Sequence, residues 1–290
     1  MNFMSSNPEQ ITHVSDTALM VAACRALETA RPDGFVCDPF AERLAGARGM
    51  AIARALPSAE IMYFSIGVRS SFMDDLVLRC ISEQRIETVL SVGCGLDARP
   101  WRLELPAGLR WIEVDFQDML DYKAGLMAGE RPKCRLESMA ADLNDATQRQ
   151  AAFAAAGPAP GLMITEGLLM YLPANTVEAI ATGPMALGGI RHWLMDVTTS
   201  AFSRLLTTDT FRSSAAMRDP NHLEGEQILE LLARHGWSSL RSYTYMRKSL
   251  PFAPERLRRI FGLPEGAPLP APRLPDDPSG VHLLACSRHM

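Results

Sequence analysis

From Thr88 onward the chain sets short apolar, β-branched runs against stretches of helical spacing, and this alternation constrains the fold more than any other feature. Thr88–Val92, Trp111–Asp115, Arg135–Ala140, Leu162–Thr165 and His192–Val197 read as five strands, the third weaker than the others. Helices are expected between them, at about 96–104, 117–129, 145–156 and 173–186. Strands alternating with helices across short loops build a parallel sheet covered on both faces, an α/β architecture. The first 85 residues read differently, as helices only. Ser15 is the expected cap of the first, Asp38-Pro39 opens a short second, and a longer third runs from about Ile61 to Glu83. At the far end, a helix over 225–235 and strands over 239–246 and 281–287 suggest an antiparallel hairpin on the sheet edge.

A chain of 290 residues allows two domains, yet the order of motifs fits one. Residues 1–85 would form a helical cap and 86–199 with 225–290 the sheet core. Residues 200–224, rich in Thr, Ser and Arg, would be a lid inserted over the strand ends. Hydrophobic residues make up 47% and charged residues 21%, which excludes a disordered or collagen-like chain. The net charge is −4 and the pI about 5.9, where a reader of the phosphate backbone would be basic. Nucleic acid is therefore not an expected partner.

The six cysteines form no C-x-x-C pair and have no histidines at zinc-ligand spacing, so no metal is expected. With no apolar run near Met1 and no stretch of 18 apolar residues, neither a signal peptide nor a membrane span is expected. Those features together predict a cytoplasmic protein.

The strongest local signal is Val89-Leu90-Ser91-Val92-Gly93-Cys94-Gly95-Leu96-Asp97. A buried strand ending in G-x-G allows a tight turn and close approach of a ligand to the backbone. Asp115 ends the second strand, where a carboxylate can accept hydrogen bonds from both ribose hydroxyls of an adenosine. Gly93, Gly95 and Ala98 also satisfy the dinucleotide pattern G-x-G-x-x-G/A, so an NAD-dependent oxidoreductase stays open on this loop alone. Two features favour S-adenosylmethionine. Asp142-Leu143 follows the third strand, where an acid and an amide can meet adenine, and a long helical segment precedes the first strand.

Further residues extend the pattern. Asp16-Thr17-Ala18, Arg25-Ala26-Leu27-Glu28 and Asp38-Pro39-Phe40-Ala41 lie in the opening helices, followed by Arg69 and the Gly93–Pro100 segment. Glu113-Val114-Asp115, Ala141-Asp142-Leu143 and Glu166 to Leu172 come next in order. In these motifs the chain resembles the leucine carboxyl methyltransferase family, in its bacterial branch of polyketide-type O-methyltransferases. The resemblance covers residues 13 to about 200. It implies a doubly wound, seven-stranded, mostly parallel sheet of the class I methyltransferase, Rossmann-like kind, with the last strand antiparallel.

It also implies S-adenosylmethionine as methyl donor and roles for single residues. Arg69 would hold the methionine carboxylate, Gly93 and Gly95 would lie against the cofactor, and Asp115 would take the ribose. Asp142 and Leu143 would take the adenine, and Glu166 would close the methionine end. By local pattern alone, Arg69 in a helix reads as a surface charge, and Glu166 could instead cap the next helix.

Methyl transfer from a sulfonium needs alignment and exclusion of water more than proton transfer. A carboxylate acceptor is already ionised at neutral pH, whereas a phenol or enol benefits from a base, usually histidine. His13, His192, His235, His282 and His289 all have ordinary packing or surface readings. His222, in the expected lid, and Tyr171, five residues past Glu166, are the candidate catalytic residues. An anionic acceptor would find Arg204 or Arg212 in the lid. The reading is an S-adenosylmethionine-dependent O-methyltransferase acting on a carboxylate or hydroxyl of a small molecule, the carboxylate slightly preferred. A protein C-terminal carboxylate is the alternative acceptor that the family's name suggests.

Overall fold

The computed structural model describes Ile11 and residues 13–57, 59–187, 189–205, 218–245, 253–269 and 274–286. Three helices come first: α1 (Val14–Thr29), α2 (Ala41–Arg54) and α3 (Ala59–Glu83). The alternating unit follows as β1 (Thr88–Val92), α4 (Arg99–Arg102), β2 (Arg110–Asp115), α5 (Gln117–Leu126), β3 (Arg135–Ala140) and α6 (Ala146–Ala155). It continues through β4 (Gly161–Thr165), a 3-10 turn at Leu169–Tyr171, α7 (Ala174–Leu187), β5 (Ile190–Val197) and α8 (Ser200–Leu205). The chain closes with α9 (Gly225–Arg234), β6 (Trp237–Thr244), α10 (Pro254–Ile260) and β7 (Gly280–Cys286).

One sheet of seven strands runs in the order β3-β2-β1-β4-β5-β7-β6. The first five are mutually parallel, and β7 enters antiparallel between β5 and β6. The expected α/β sheet is present, and its closing strands pair with each other as foreseen. The hairpin lies at the sheet edge, with the antiparallel β7 as its inner strand and β6 as its outer one. The sequence of β7 explains the inner position: Val281, Leu283 and Leu284 are apolar, and all seven residues of β7 are buried. β6, with Ser238, Ser239 and Leu240 exposed and Arg241 half-buried, takes the edge. β3 occupies the other edge and is mostly exposed, which is why its sequence signal is weak.

Helices cover both faces. Phe153, Ile180, Trp193, Ile228 and Trp237 fill one side, and Phe72, Leu76, Trp111, Leu257 and Leu283 the other. A third cluster, with Leu44, Ile52, Met62, Leu96 and Trp101, ties the helical cap to the loop after β1. The cap is also joined to α10 by a buried ion pair of Glu28 with both terminal nitrogens of Arg256. Phe35 and Phe64 lie against that guanidinium at 5.7 and 5.4 Å from their ring centres.

Two local expectations change. The α1 cap is His13, not Ser15: its ring nitrogen accepts from the Ser15 amide at 3.2 Å, while Asp16 accepts from the His13 amide at 3.1 Å. That reciprocal pair satisfies two helix-end donors, so the helix starts earlier than the serine suggested. The helix expected over 96–104 shrinks to Arg99–Arg102, because Asp97 accepts from the Arg99 amide and Leu103 is already extended. Of the lid region, residues 206–217, with Arg212, lie outside the described residues, as does His289. Among the described residues no helix is long and apolar enough to cross a membrane, and no His, Cys, Asp and Glu group could hold a metal.

Candidate active site

β1 leaves the sheet through Gly93-Cys94-Gly95, with φ of +64° at Gly93 and +47° at Gly95. A side chain in this left-handed region costs about 1–2 kcal/mol. At Gly93 a Cβ would also stand 2.8 Å from Leu168 Cδ1. The Gly93 and Cys94 amides donate to the Val114 carbonyl at 2.8 and 3.2 Å, drawing the loop over β2. Asp115 completes the hold, accepting from the Gly95 amide at 2.7 Å and the Phe116 amide at 2.8 Å. Burial raises the Asp115 carboxyl pKa, against the two amides and Lys123. From the cap, Arg25 donates to the Leu96 carbonyl at 2.6 Å and bonds Asp38 at 2.9 Å.

Gly95 and Asp115, linked only by spacing in the sequence, are thus in direct contact. Asp142 and Leu143 follow β3 beside them, where the Ala141 amide donates to the Asp115 carbonyl at 3.0 Å. Asp142 accepts from the Asn144 amide at 2.9 Å, and Leu143 is buried.

Glu166 and Asp196 end β4 and β5, and between them lies Arg69 of α3. Its Nε donates to Glu166 Oε1 at 2.9 Å and one Nη to Asp196 Oδ2 at 3.3 Å. Arg69 is therefore interior, not the surface charge its helix suggested, because α3 crosses directly over the strand ends. The other oxygen of Glu166 accepts from Arg99 at 2.7 Å, and Arg99 also reaches Asp74 at 2.7 Å and Asp97 at 3.0 Å. Arg102 holds Asp74 through two nitrogens, at 2.5 and 2.7 Å. Burial pushes the Glu166 carboxyl up, but Arg99 and Arg69 outweigh it and hold it at about 2. Asp97 is lowered in the same way, by Arg99 and Lys123 over its burial. Burial raises Asp196, which Arg69 and the Gly167 amide, at 2.6 Å, oppose.

Tyr171 stands beside this cluster. Burial raises its phenol pKa, Arg69 and Arg218 act on it as nearby cations, and Thr17 of the cap hydrogen-bonds it. Tyr245, on the chain beyond β6, is held neutral by burial and the Asp196 charge, and its ring lies 5.7 Å from Phe202. His222 is not part of the cluster. Its Nδ1 must donate to the Asp219 carbonyl, at 2.6 Å, which turns Nε2 toward Glu224 at 3.4 Å. Of the other histidines, His235 pairs with Glu178 and His282 with Ser242 and the Pro278 carbonyl. His192 lies near the start of β5, at the opposite end of the strands.

Sequence reasoning missed Asp74, Asp97, Arg99 and Asp196. Asp196 had a usable signal, since it ends a parallel strand as Glu166 does. Asp97 and Arg99 sit inside the Gly93–Pro100 motif, but nothing local says that Arg99 crosses to Glu166. Asp74 gave no signal.

The residues fit a sulfonium cofactor. Asp74, Asp97, Glu166 and Asp196 face Arg69, Arg99 and Arg102, and Arg25 and Lys123 act on the same acids from further away, so both signs of charge are offered at the strand ends. S-adenosylmethionine carries a sulfonium and an ammonium, which carboxylates suit, and one carboxylate, which a guanidinium suits. The second Nη of Arg69 makes no hydrogen bond among the described residues and is available to that carboxylate.

The comparisons agree. A family model of leucine carboxyl methyltransferase matches residues 18–183. A candidate S-adenosyl-L-methionine-dependent methyltransferase of Mycobacterium sp. (strain KMS) is 38% identical over 201 residues, 63% of this chain. The chain spans 66% of that relative's length. One from Streptomyces avermitilis is 32% identical over 266 residues, 85% of this chain and 93% of the relative. Among solved structures, a DUF574 family protein from Streptomyces avermitilis aligns with a TM-score of 0.58 at 15% identity, over 91% of this chain and 96% of that one. A candidate methyltransferase from Thermobifida fusca gives 0.54 at 14%, over 93% and 94%. At these identities the two structures bear on the fold alone, and both carry the same sheet-and-helix architecture. The dinucleotide reading falls away, and the chain belongs to the leucine carboxyl methyltransferase family, whose cofactor is S-adenosylmethionine.

Proposed function

We propose that the protein is an S-adenosylmethionine-dependent O-methyltransferase that methylates a small molecule, taking a carboxylate in preference to a hydroxyl. The preference rests on how fully the acids at the strand ends are engaged. Glu166, held at about 2 by Arg99 and Arg69 against its burial, is a poor proton acceptor at neutral pH. Asp97 is lowered likewise, and Asp196 is bonded to Arg69 and the Gly167 amide. A hydroxyl acceptor would need a base, whereas a carboxylate is ionised without one. Tyr171, kept neutral by burial, is suited to donate a hydrogen bond to an acceptor oxygen.

In this reading Gly93, Gly95 and Asp115 hold the adenosine side of the cofactor, with Asp142 and Leu143 at the adenine. Arg69 takes the methionine carboxylate, and Glu166 fixes Arg69 in that orientation. When bound, S-adenosylmethionine supplies a methyl group already activated by the positive sulfur. The residues of the chain then align the acceptor and exclude water, a contribution of proximity. The cap helps through Thr17 on Tyr171 and Arg25 on the loop after β1. His222, tied to its own segment, is a less suitable base than its position in the sequence suggested. The acidic balance, net −4, supports a small acceptor over nucleic acid.

Product chemistry tests the proposal. A methyl ester releases methanol in mild base, and a methyl ether does not. With labelled donor and cell extract, the low-molecular-weight product is expected to lose its label in mild base. A base-stable product would reject the carboxylate, and label confined to polypeptide would favour a protein C terminus.

A further inference from the structure

Among the described residues, the buried arginines hold a carboxylate at close range, apart from one. Arg25, Arg48, Arg69, Arg99 and Arg102 have side chains 16% exposed or less, and each holds a carboxylate oxygen at 2.9 Å or closer. Arg218 is as secluded, at 11%, but its nearest carboxylate oxygen is on Glu224 at 3.5 Å. Among the described residues its second terminal nitrogen meets only the Met170 sulfur, at 4.0 Å. Its buried Nε has no hydrogen-bond partner, which is true also of Arg102 and Arg256, but in those two both terminal nitrogens hold a carboxylate. Glu224 is poorly free to improve on this, because it caps α9 and also faces His222. A buried donor without a partner is costly, the more so for a charged group. That state is worth keeping where a ligand completes it.

The location is specific. The segment carrying Arg218 is clamped to the chain just past Glu166: the Asp219 amide donates to the Tyr171 carbonyl at 3.3 Å. The Ala174 amide donates to the Asn221 carbonyl at 3.0 Å, and His222 bridges Pro173. Arg218 thereby stands by Tyr171, whose hydroxyl also feels Arg69 at the methionine end. Arg204, the cation suggested by the sequence, is exposed on α8.

We propose that Arg218 is the acceptor-binding residue of the enzyme, pairing with the carboxylate of an anionic acceptor beside Tyr171. The proposal rests on the methyltransferase reading above and narrows it to an acidic acceptor. A guanidinium offers a planar pair of donors matched to a carboxylate. Because methylation removes the acceptor's charge, this pairing is strongest before transfer and is lost in the ester. Arg218 therefore serves binding and orientation, and its loss should appear in KM far more than in kcat.

Calorimetry on the full chain loaded with S-adenosylhomocysteine tests this with two acids and their neutral counterparts: octanoate with octanamide, and N-acetyl-leucine with N-acetyl-leucinamide. At least one acid is expected to bind tenfold or more tightly than its amide. Arg218→Gln should abolish that preference, and Arg218→Lys should restore part of it, both with unchanged affinity for S-adenosylhomocysteine. Preference for octanoate would indicate a free fatty or similar small acid, and preference for N-acetyl-leucine a peptide C terminus. Equal binding of acids and amides, binding of neither acid, or a preference that survives Arg218→Gln would overturn the assignment of Arg218. If the wild type fails to bind S-adenosylhomocysteine, the methyltransferase reading itself fails and the proposal with it.

Discussion

At the glycine-loop end of the site, the groups that meet are near one another along the chain: Gly95 and Asp115 are 20 residues apart. At the charged end the partners are remote, with Arg99 and Glu166 separated by 67 residues, Arg69 and Glu166 by 97, and Arg69 and Asp196 by 127. The first end is made of backbone amides gathered by a turn. The second is made of long side chains from α3, α4 and two strand ends. A backbone site is stable wherever the turn forms, since its donors are fixed by the fold of a few residues. A cluster of buried charges has no such local support. Each ion is costly out of water and tolerable only when all its partners are in place.

This difference predicts different responses to substitution. The largest effect is expected for Arg99→Met, which leaves Asp97 without its ion-pair partner and takes one of two cations from Asp74 and from Glu166. A loss of about 3–5 kcal/mol in urea unfolding is expected for breaking such a buried network. A loss below about 1 kcal/mol would mean that these charges are hydrated and the contrast between the two ends is false.

Glu166→Gln should come next, with a loss of about 1–3 kcal/mol at pH 7 from the hydrogen bonds to two cations. Its pH dependence carries the sign. The folded pKa of Glu166, at about 2, lies below the ordinary carboxylate range, so its stabilisation is complete above that range and disappears as pH falls through about 2. The stability gap between wild type and Glu166→Gln should therefore close in acid. A gap that stayed constant from pH 7 to 2 would remove the ionised Glu166 from the cluster.

Asp115→Ala should have the smallest effect on folding, under about 1 kcal/mol, since its amide donors can turn to water. It should still weaken S-adenosylhomocysteine binding at least tenfold. Unchanged affinity by calorimetry would take Asp115 out of the cofactor site and break the proposed division between the two ends.

Much of this molecule is legible in its residues. The buried runs Thr88–Val92 and Gly161–Thr165 announce central parallel strands because both their faces are covered. The glycine loop is legible for a related reason: positive φ at Gly93 and Gly95 is a demand that glycine meets locally. The cap was visible as helices, but the identity of its first capping residue was not. Choosing between His13 and Ser15 depends on which side chain reaches the first turn, and Asp16 decided it by closing the reciprocal bond.

Residue order by itself determined the α/β class, the strand ends at which chemistry gathers, and the loop that meets a cofactor. Those follow from periodicity and turn geometry, which operate over a few residues. Only the tertiary structure decided that Arg69 is buried between Glu166 and Asp196, that Arg99 links the glycine loop to Glu166, and that Arg218 lacks a close counter-ion. Electrostatic partnership is set by distance through space and by exclusion of water, and neither is written in the spacing of residues along a chain.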